Sequence, residues 1–282
     1  MAQTVEQKWI PTVYNMSSSQ AFVVVWALEE VAGSHGIKYN LKNFPRRGKD
    51  TNTEFKAVSP LGKSPVVTLE PVGSQHPPLE YQVLPNTLIE SSSILQFISD
   101  NFTTGERVPE SPQDKLRDAF FHNFAKGTLL AKVDFVLLFE VIAMLAPWGI
   151  RHLLLLLFRP IISHFLGDLR DIYTVMENGL SEEKPWFSGS KIGLADFNMS
   201  FAMDMSAQRG YFDTEKYPKV AKWHAATLGR PRTRELWERQ AHTIWLLSRR
   251  PLLRLCLDNI GTEGVISNGP ESESFFSYGE LA

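Results

Sequence analysis

The chain changes its hydrophobic period as it runs. Pro11-Thr12-Val13-Tyr14 reads as a short strand that ends at the polar cluster Asn15 to Gln20. From Ser19 or Gln20 onward, Phe22, Val25, Trp26, Leu28 and Val31 recur at helical spacing, with Glu29 and Glu30 outside and Gly33 and Gly36 closing the element. Ile37 to Leu41 alternates, which predicts a second strand. Glu54 to Val58 gives a helical turn, Val66 to Leu69 a β-branched strand and Thr87 to Ile89 another, with the insert Pro71 to Pro85 looping out between them. Glu90-Ser91-Ser92-Ser93 then precedes Ile94, Leu95, Phe97 and Ile98 of a helix. Residues 11–102 therefore predict the order β-α-β-α-β-β-α, a compact α/β domain.

Phe102 to Gln113, with Gly105, Pro109 and Pro112, is a linker, and beyond it the pattern is helical throughout. Leu116 to Leu145 forms one long helical pattern and Ile150 to Leu180 a second, which Pro160 is expected to interrupt or restart. Val133 to Leu166 is unusually apolar, but Glu140, Pro147, Arg151 and Arg159 leave no uncharged run of the ~18 to 20 residues that a membrane span needs. Buried helices lining an apolar cavity are the expectation there, ahead of a membrane-surface segment. Pro185 to Gly189 is a turn before the helix Leu194 to Arg209, which carries Phe197, Phe201 and Met205 on one face. Gly193 and Asp196 have capping-box spacing, and Ile192 can staple onto Phe197. Tyr217-Pro218 opens a further helix with proline in its first turn. A last helix covers Arg232 to Gln240, Thr243 to Leu257 is amphipathic and basic, and the residues beyond read as a loose tail.

Composition narrows the class. The 282 residues are 43% hydrophobic with a formal net charge of -2, and the basic residues are scattered, so nucleic acid is not an expected partner. The one cysteine, Cys256, excludes an intrachain disulfide and a cysteine-based metal cluster and suits a reducing compartment. Met1 to Gln7 has no apolar signal core and Gly279 to Ala282 is no peroxisomal or ER address, so a cytoplasmic location is expected. No glycine-rich phosphate loop, HExxH, CxxC or GxSxG occurs. The seven histidines are dispersed, and no metal site is expected.

Three stretches carry candidate chemistry. Ser59-Pro60-Leu61-Gly62-Lys63-Ser64-Pro65-Val66-Val67 is a turn running into a strand, with Pro65 at the first strand position, where a missing N–H does least harm. Its Ser64–Pro65 bond could be cis. Ser17-Ser18-Ser19 and Glu90-Ser91-Ser92 each sit where a strand ends and a helix begins, so their hydroxyls and free N–H groups suit an anion or thiolate. Taken singly, plain N-capping accounts for each.

Taken together, these pieces resemble a glutathione transferase, closest to the fungal and bacterial group of the yeast membrane-associated glutathione transferase. The carrying motifs are Ser17 to Gln20 with Trp26-Ala27-Leu28-Glu29-Glu30, Ser59 to Val66, Ile89-Glu90-Ser91, Pro185 to Gly189 and Ala195 to Phe201. The resemblance implies an α/β thioredoxin-like N-terminal domain, 8–104, an all-α C-terminal domain, 113–257, and a tail, 258–282. It implies that glutathione binds with Ser64, ahead of a cis Pro65, pairing its cysteinyl backbone, Glu90 and Ser91 holding the γ-glutamyl end, and Lys63 meeting the glycyl carboxylate. Ser17 is the implied hydroxyl donor to the thiolate, with Tyr14 as the alternative. Ser18 and Ala21 stand where the group usually has arginines. The implied reaction is attack of the thiolate on a hydrophobic electrophile, with Val133 to Leu166 and Trp148 as the second-substrate wall. It ends as conjugation or as double-bond isomerisation with glutathione as cofactor, and the long insert and the tail suggest an enzyme tailored to fungal secondary metabolism. A homodimer is implied, and a non-enzymatic ligand-binding or assembly module is the alternative.

Overall fold

The structure, a computed structural model, describes residues 5–46, 51–74 and 84–230. The features expected at residues 75–83, Arg232 to Gln240, Thr243 to Leu257 and the tail lie outside them. Strands β1 (Trp9–Met16), β2 (Asn40–Phe44), β3 (Val66–Pro71) and β4 (Thr87–Ile89) and helices α1 (Ala21–His35), α2 (Thr51–Val58) and α3 (Ser91–Phe102) follow the expected order. The sheet order is β2-β1-β3-β4, with β1 parallel to β2 and the other two pairings antiparallel. Alternation along β1 assigns the faces. Val13 is fully buried with side chains of α1 and α3. Tyr14 points the other way, stacks on Phe44 and meets the edge of Phe55 in α2.

Strand β2 begins three residues later than its alternation suggests. Gly36 takes a left-handed φ of 70° and stops α1, and Ile37 packs into the core from a loop before pairing starts at Thr12–Asn40. The far end of the pairing is fixed by Ser17, whose N–H and hydroxyl both donate to the Phe44 carbonyl, at 3.0 and 3.1 Å.

The second half is helical. Ser111 caps α4 (Pro112–Phe124) by accepting from Asp114 N at 3.0 Å. A π-helical segment, Ala125–Leu130, joins it to α5 (Ala131–Leu145), so the long pattern is one rod with a local change of pitch. Helix α6 (Trp148–Gly179) returns antiparallel to it and, against expectation, runs unbroken through Pro160. Pro160 and Leu156, whose carbonyl loses its helical partner, are both exposed, so water can satisfy the freed group.

Helix α7 (Leu194–Arg209) joins the halves. Its Leu194 and Phe197 belong to the core built on the sheet, and its Ala195, Met199, Ala202 and Met203 belong to the helical core. The contact of Trp26 with Phe197 is edge-on at 4.4 Å, and both rings are buried. Asp196 is fully buried and accepts from the N–H groups of Phe187, Ser188 and Gly193 and from Trp223 Nε1 of α8 (Pro218–Leu228). Glycine at 193 therefore reflects space, not only capping: a Cβ there would lie 2.5 Å from Ser188 Oγ and 3.1 Å from the Arg107 carbonyl.

The expectation of burial across Val133 to Leu166 is overturned. Val133, Val136, Glu140, Ala143, Leu155 and Ile162 are buried, but Leu138, Ile142, Leu145, Trp148, Ile150, Leu153, Leu156 and Leu157 are 41–78% exposed. The α5–α6 hairpin is longer than the core beneath it, so its far end has little to pack against among the described residues.

Candidate functional site

A cavity of about 330 Å³ opens where the start of α1, the loop before β3, the start of α3 and the π-helical segment meet. Gln20, Ser59, Leu61, Lys63, Ser64, Pro65, Ile89, Glu90, Ser91, Lys126 and Leu130 line it. The expected Lys63, Ser64, Pro65, Glu90 and Ser91 are thus brought together from two segments, and the Ser64–Pro65 peptide is cis.

Local hydrogen bonds set each part. Ser64 Oγ accepts from Met16 N at 3.0 Å and donates to the Tyr14 carbonyl at 3.1 Å, which ties the loop to β1. The Ser64 backbone has no backbone partner among the described residues. Glu90 has φ 69° and ψ 112° and caps α3 without a side-chain bond, so the first N–H groups of that helix face the cavity mouth uncapped. Their partial positive charge suits a carboxylate. Ser91 Oγ donates to Gln20 Oε1 at 2.9 Å, linking the starts of α3 and α1.

The two expected thiolate donors are placed elsewhere. Ser17 spends its hydroxyl on the Phe44 carbonyl, and Tyr14 accepts from Lys42 Nζ at 3.3 Å on the opposite face of the sheet; neither lines the cavity. Ser19, in the same serine cluster, is also outside the cavity lining but reaches Ser64, which lines it. Its hydroxyl is 3.0 Å from Ser64 Oγ and accepts from Ala21 N at the start of α1. Because the Ser64 proton goes to Tyr14, the Ser19 proton is the one shared between the two hydroxyls.

Lys126 was not foreseen. The π-helical segment turns it toward the cavity, with Nζ 3.8 Å from Glu90 Oε2. Burial lowers its ammonium below the usual lysine range, and Glu90 opposes that shift. Behind the site, Asn198 of α7 donates to Ser92 Oγ at 2.9 Å and lies against His122, which burial holds below the usual histidine value. The expected second-substrate wall does not reach this cavity. Leu61, Ile89 and Leu130 supply its apolar lining, and Trp148 stands 78% exposed at the hairpin tip.

Comparison with known proteins agrees with the fold. Residues 166–231 match the family model for the glutathione S-transferase C-terminal domain. The chain is 22% identical over 246 residues to glutathione S-transferase 3 of Schizosaccharomyces pombe, covering 84% of this chain and 90% of that one. It is 23% identical over 219 residues to glutathione S-transferase 1 of Saccharomyces cerevisiae, covering 75% and 87%. Among solved structures it resembles a glutathione transferase from Phanerochaete chrysosporium in complex with oxidised glutathione, with a TM-score of 0.62 at 19% identity over 83% of this chain and 98% of that one. With a small mixed sheet in front and a helical domain behind, the chain has the glutathione S-transferase fold, and it is similar over both halves to these yeast glutathione S-transferases.

Proposed function

We propose that the protein is a glutathione transferase that holds the tripeptide in this cavity and presents its thiolate to a hydrophobic electrophile. The observation that carries the reading is the charge pattern of the walls. Glutathione has one ammonium and two carboxylates, and the cavity offers one carboxylate, Glu90, two ammonium groups, Lys63 and Lys126, and the uncapped start of α3. Glu90 pairs with the γ-glutamyl ammonium, the Ser91 N–H with its carboxylate, and a lysine with the glycyl carboxylate. The Ser64 backbone, which has no backbone partner among the described residues, suits the antiparallel pairing that the cysteinyl residue requires.

A free thiol has a pKa near ~8.5, so thiolate is scarce at neutral pH without help. Lowering it by one unit takes about 1.4 kcal/mol of preference for the charged form. Ser19 supplies that preference by rotating its proton from Ser64 toward sulfur, assisted by the positive end of α1. The thiolate then adds to the electrophile and forms the C–S bond, and the product keeps glutathione.

Retention on immobilised glutathione, lost in Glu90→Gln, tests binding, and a wild-type chain that is not retained contradicts the reading. Incubation with enones tests the reaction. Conjugation consumes glutathione one for one, whereas isomerised product with glutathione unconsumed would replace conjugation by the isomerase form.

A further inference from the structure

Helix α5 presents three faces. Lys132, Phe135 and Phe139 meet α6: Lys132 Nζ lies 2.6 Å from Asp168 Oδ2, Phe135 stacks on Phe165, and Phe139 packs against Phe158. Val133, Val136, Glu140 and Ala143 form the buried face. The third face carries on from the cavity. Lys126 and Leu130 line the cavity, and Asp134 continues their row one turn beyond Leu130, at about 6 Å of helical rise. Asp134 is the odd member of that row. Water reaches it, yet it has no hydrogen bond or ion pair among the described residues, and its helical neighbours three and four positions away are Leu130, Ala131, Leu137 and Leu138. The protein around it raises its carboxyl above the ordinary value, with no counter-charge to offset the shift. A carboxylate in a first helical turn ordinarily answers the helix dipole. That account fails here, because α5 continues directly from the π-helical segment instead of starting free.

We propose that Asp134 is a specificity-determining residue that selects electrophiles carrying a cationic nitrogen on an apolar body. The inference rests on the proposed function, which puts the electrophile at the mouth of the cavity beside the thiolate. A substrate that leaves this mouth along α5 meets Leu130 first and Asp134 next, with Leu137 and Leu138 on either side. Its apolar part packs on the leucines. Its nitrogen supplies the counter-charge that Asp134 lacks in the free protein, which favours the charged carboxylate and the bound cation together. Lys126 does not serve as that counter-charge. It stands eight residues away, roughly 12 Å along the helix, and its Nζ faces Glu90. The same carboxylate disfavours an anionic electrophile, so the row discriminates by sign as well as by shape.

The test uses two enones of equal shape, one ending in a trimethylammonium group and the other in a neutral tert-butyl group, with the full chain and glutathione. Wild type is expected to favour the cationic enone by about tenfold or more in kcat/KM, and Asp134→Asn to bring that ratio to about one. Asp134→Lys is expected to turn the preference toward an enone ending in a carboxylate. The position is exposed, so both variants fold, which retention on immobilised glutathione checks. Calorimetric binding of the corresponding saturated ketones, which cannot react, reads the same preference without turnover. A wild-type chain that conjugates neither enone but binds the cationic ketone through Asp134 defeats the proposed function and keeps this inference. Conjugation of both enones with equal kcat/KM, or a preference that survives in Asp134→Asn, overturns the inference and leaves the proposed function standing. Equal binding of the two ketones to a chain that conjugates neither enone overturns both.

Discussion

At the scale of single residues, the site divides into groups held by neighbours in sequence and groups delivered by the fold. Ser64, Pro65, Glu90 and Ser91 were readable because each belongs to a short motif at a loop-to-strand or strand-to-helix junction. Lys126 was not. Nothing near Ala125-Lys126-Gly127 signals a change of pitch, and its direction depends on the π-helical segment. The choice within Ser17-Ser18-Ser19 was unreadable for a similar reason. A one-residue difference decides which hydroxyl ends the β1–β2 pairing and which meets Ser64. Lys126→Met is expected to raise the KM for glutathione about tenfold with little change in kcat, because it removes a charge that meets ligand and transition state alike. Steady-state kinetics with glutathione as the varied substrate checks this.

At the scale of elements, periodicity located nearly every helix and strand, and misses fell where context overrides local preference. Alternation at Ile37 to Leu41 marked burial of Ile37 rather than the start of pairing. Pro160 is expected to interrupt or restart a helix that neighbours on both sides carry through. Since the proline is exposed and forfeits one helical bond, Pro160→Ala should stabilise the protein by about 1–3 kcal/mol, read as a higher urea midpoint. The apolar run of α5 and α6 was readable as apolar but not as exposed. Burial depends on what the rest of the chain brings alongside, which periodicity does not record.

At the scale of the whole molecule, an ion cluster ties the sheet domain to the helices. Glu30 of α1 accepts from Trp26 Nε1, from Arg230 Nε and Nη2 at 2.6 and 2.7 Å, and from Arg107. The carboxylate is 9% exposed, so losing its charge leaves two guanidinium groups poorly paired. Glu30→Gln should cost about 3 kcal/mol and split one calorimetric transition into two. A smaller link is acid-sensitive. Burial pushes the Glu106 carboxyl up, but hydrogen bonds from His35 and Thr104 outweigh it and hold the group at about 2, below its ordinary 4.5. A depressed acid stabilises above its unfolded value, so this contribution is present above pH 4.5 and is lost as pH falls toward 2. Glu106 is 39% exposed, and screening limits the effect to about 1 kcal/mol or less. Glu106→Gln should flatten acid denaturation in that window by no more than this amount.

On the proposed function, this cavity makes a thiolate of glutathione with Ser19 as the hydroxyl donor. The most direct measurement is the pH titration of the ultraviolet absorbance of bound glutathione thiolate in the wild type, Ser19→Ala and Ser17→Ala. The apparent thiol pKa in the wild type and in Ser17→Ala is expected at least one unit below the free value of ~8.5, with a return toward that value in Ser19→Ala. A wild-type pKa equal to that of free glutathione, or a rise in Ser17→Ala with Ser19→Ala unchanged, would contradict it.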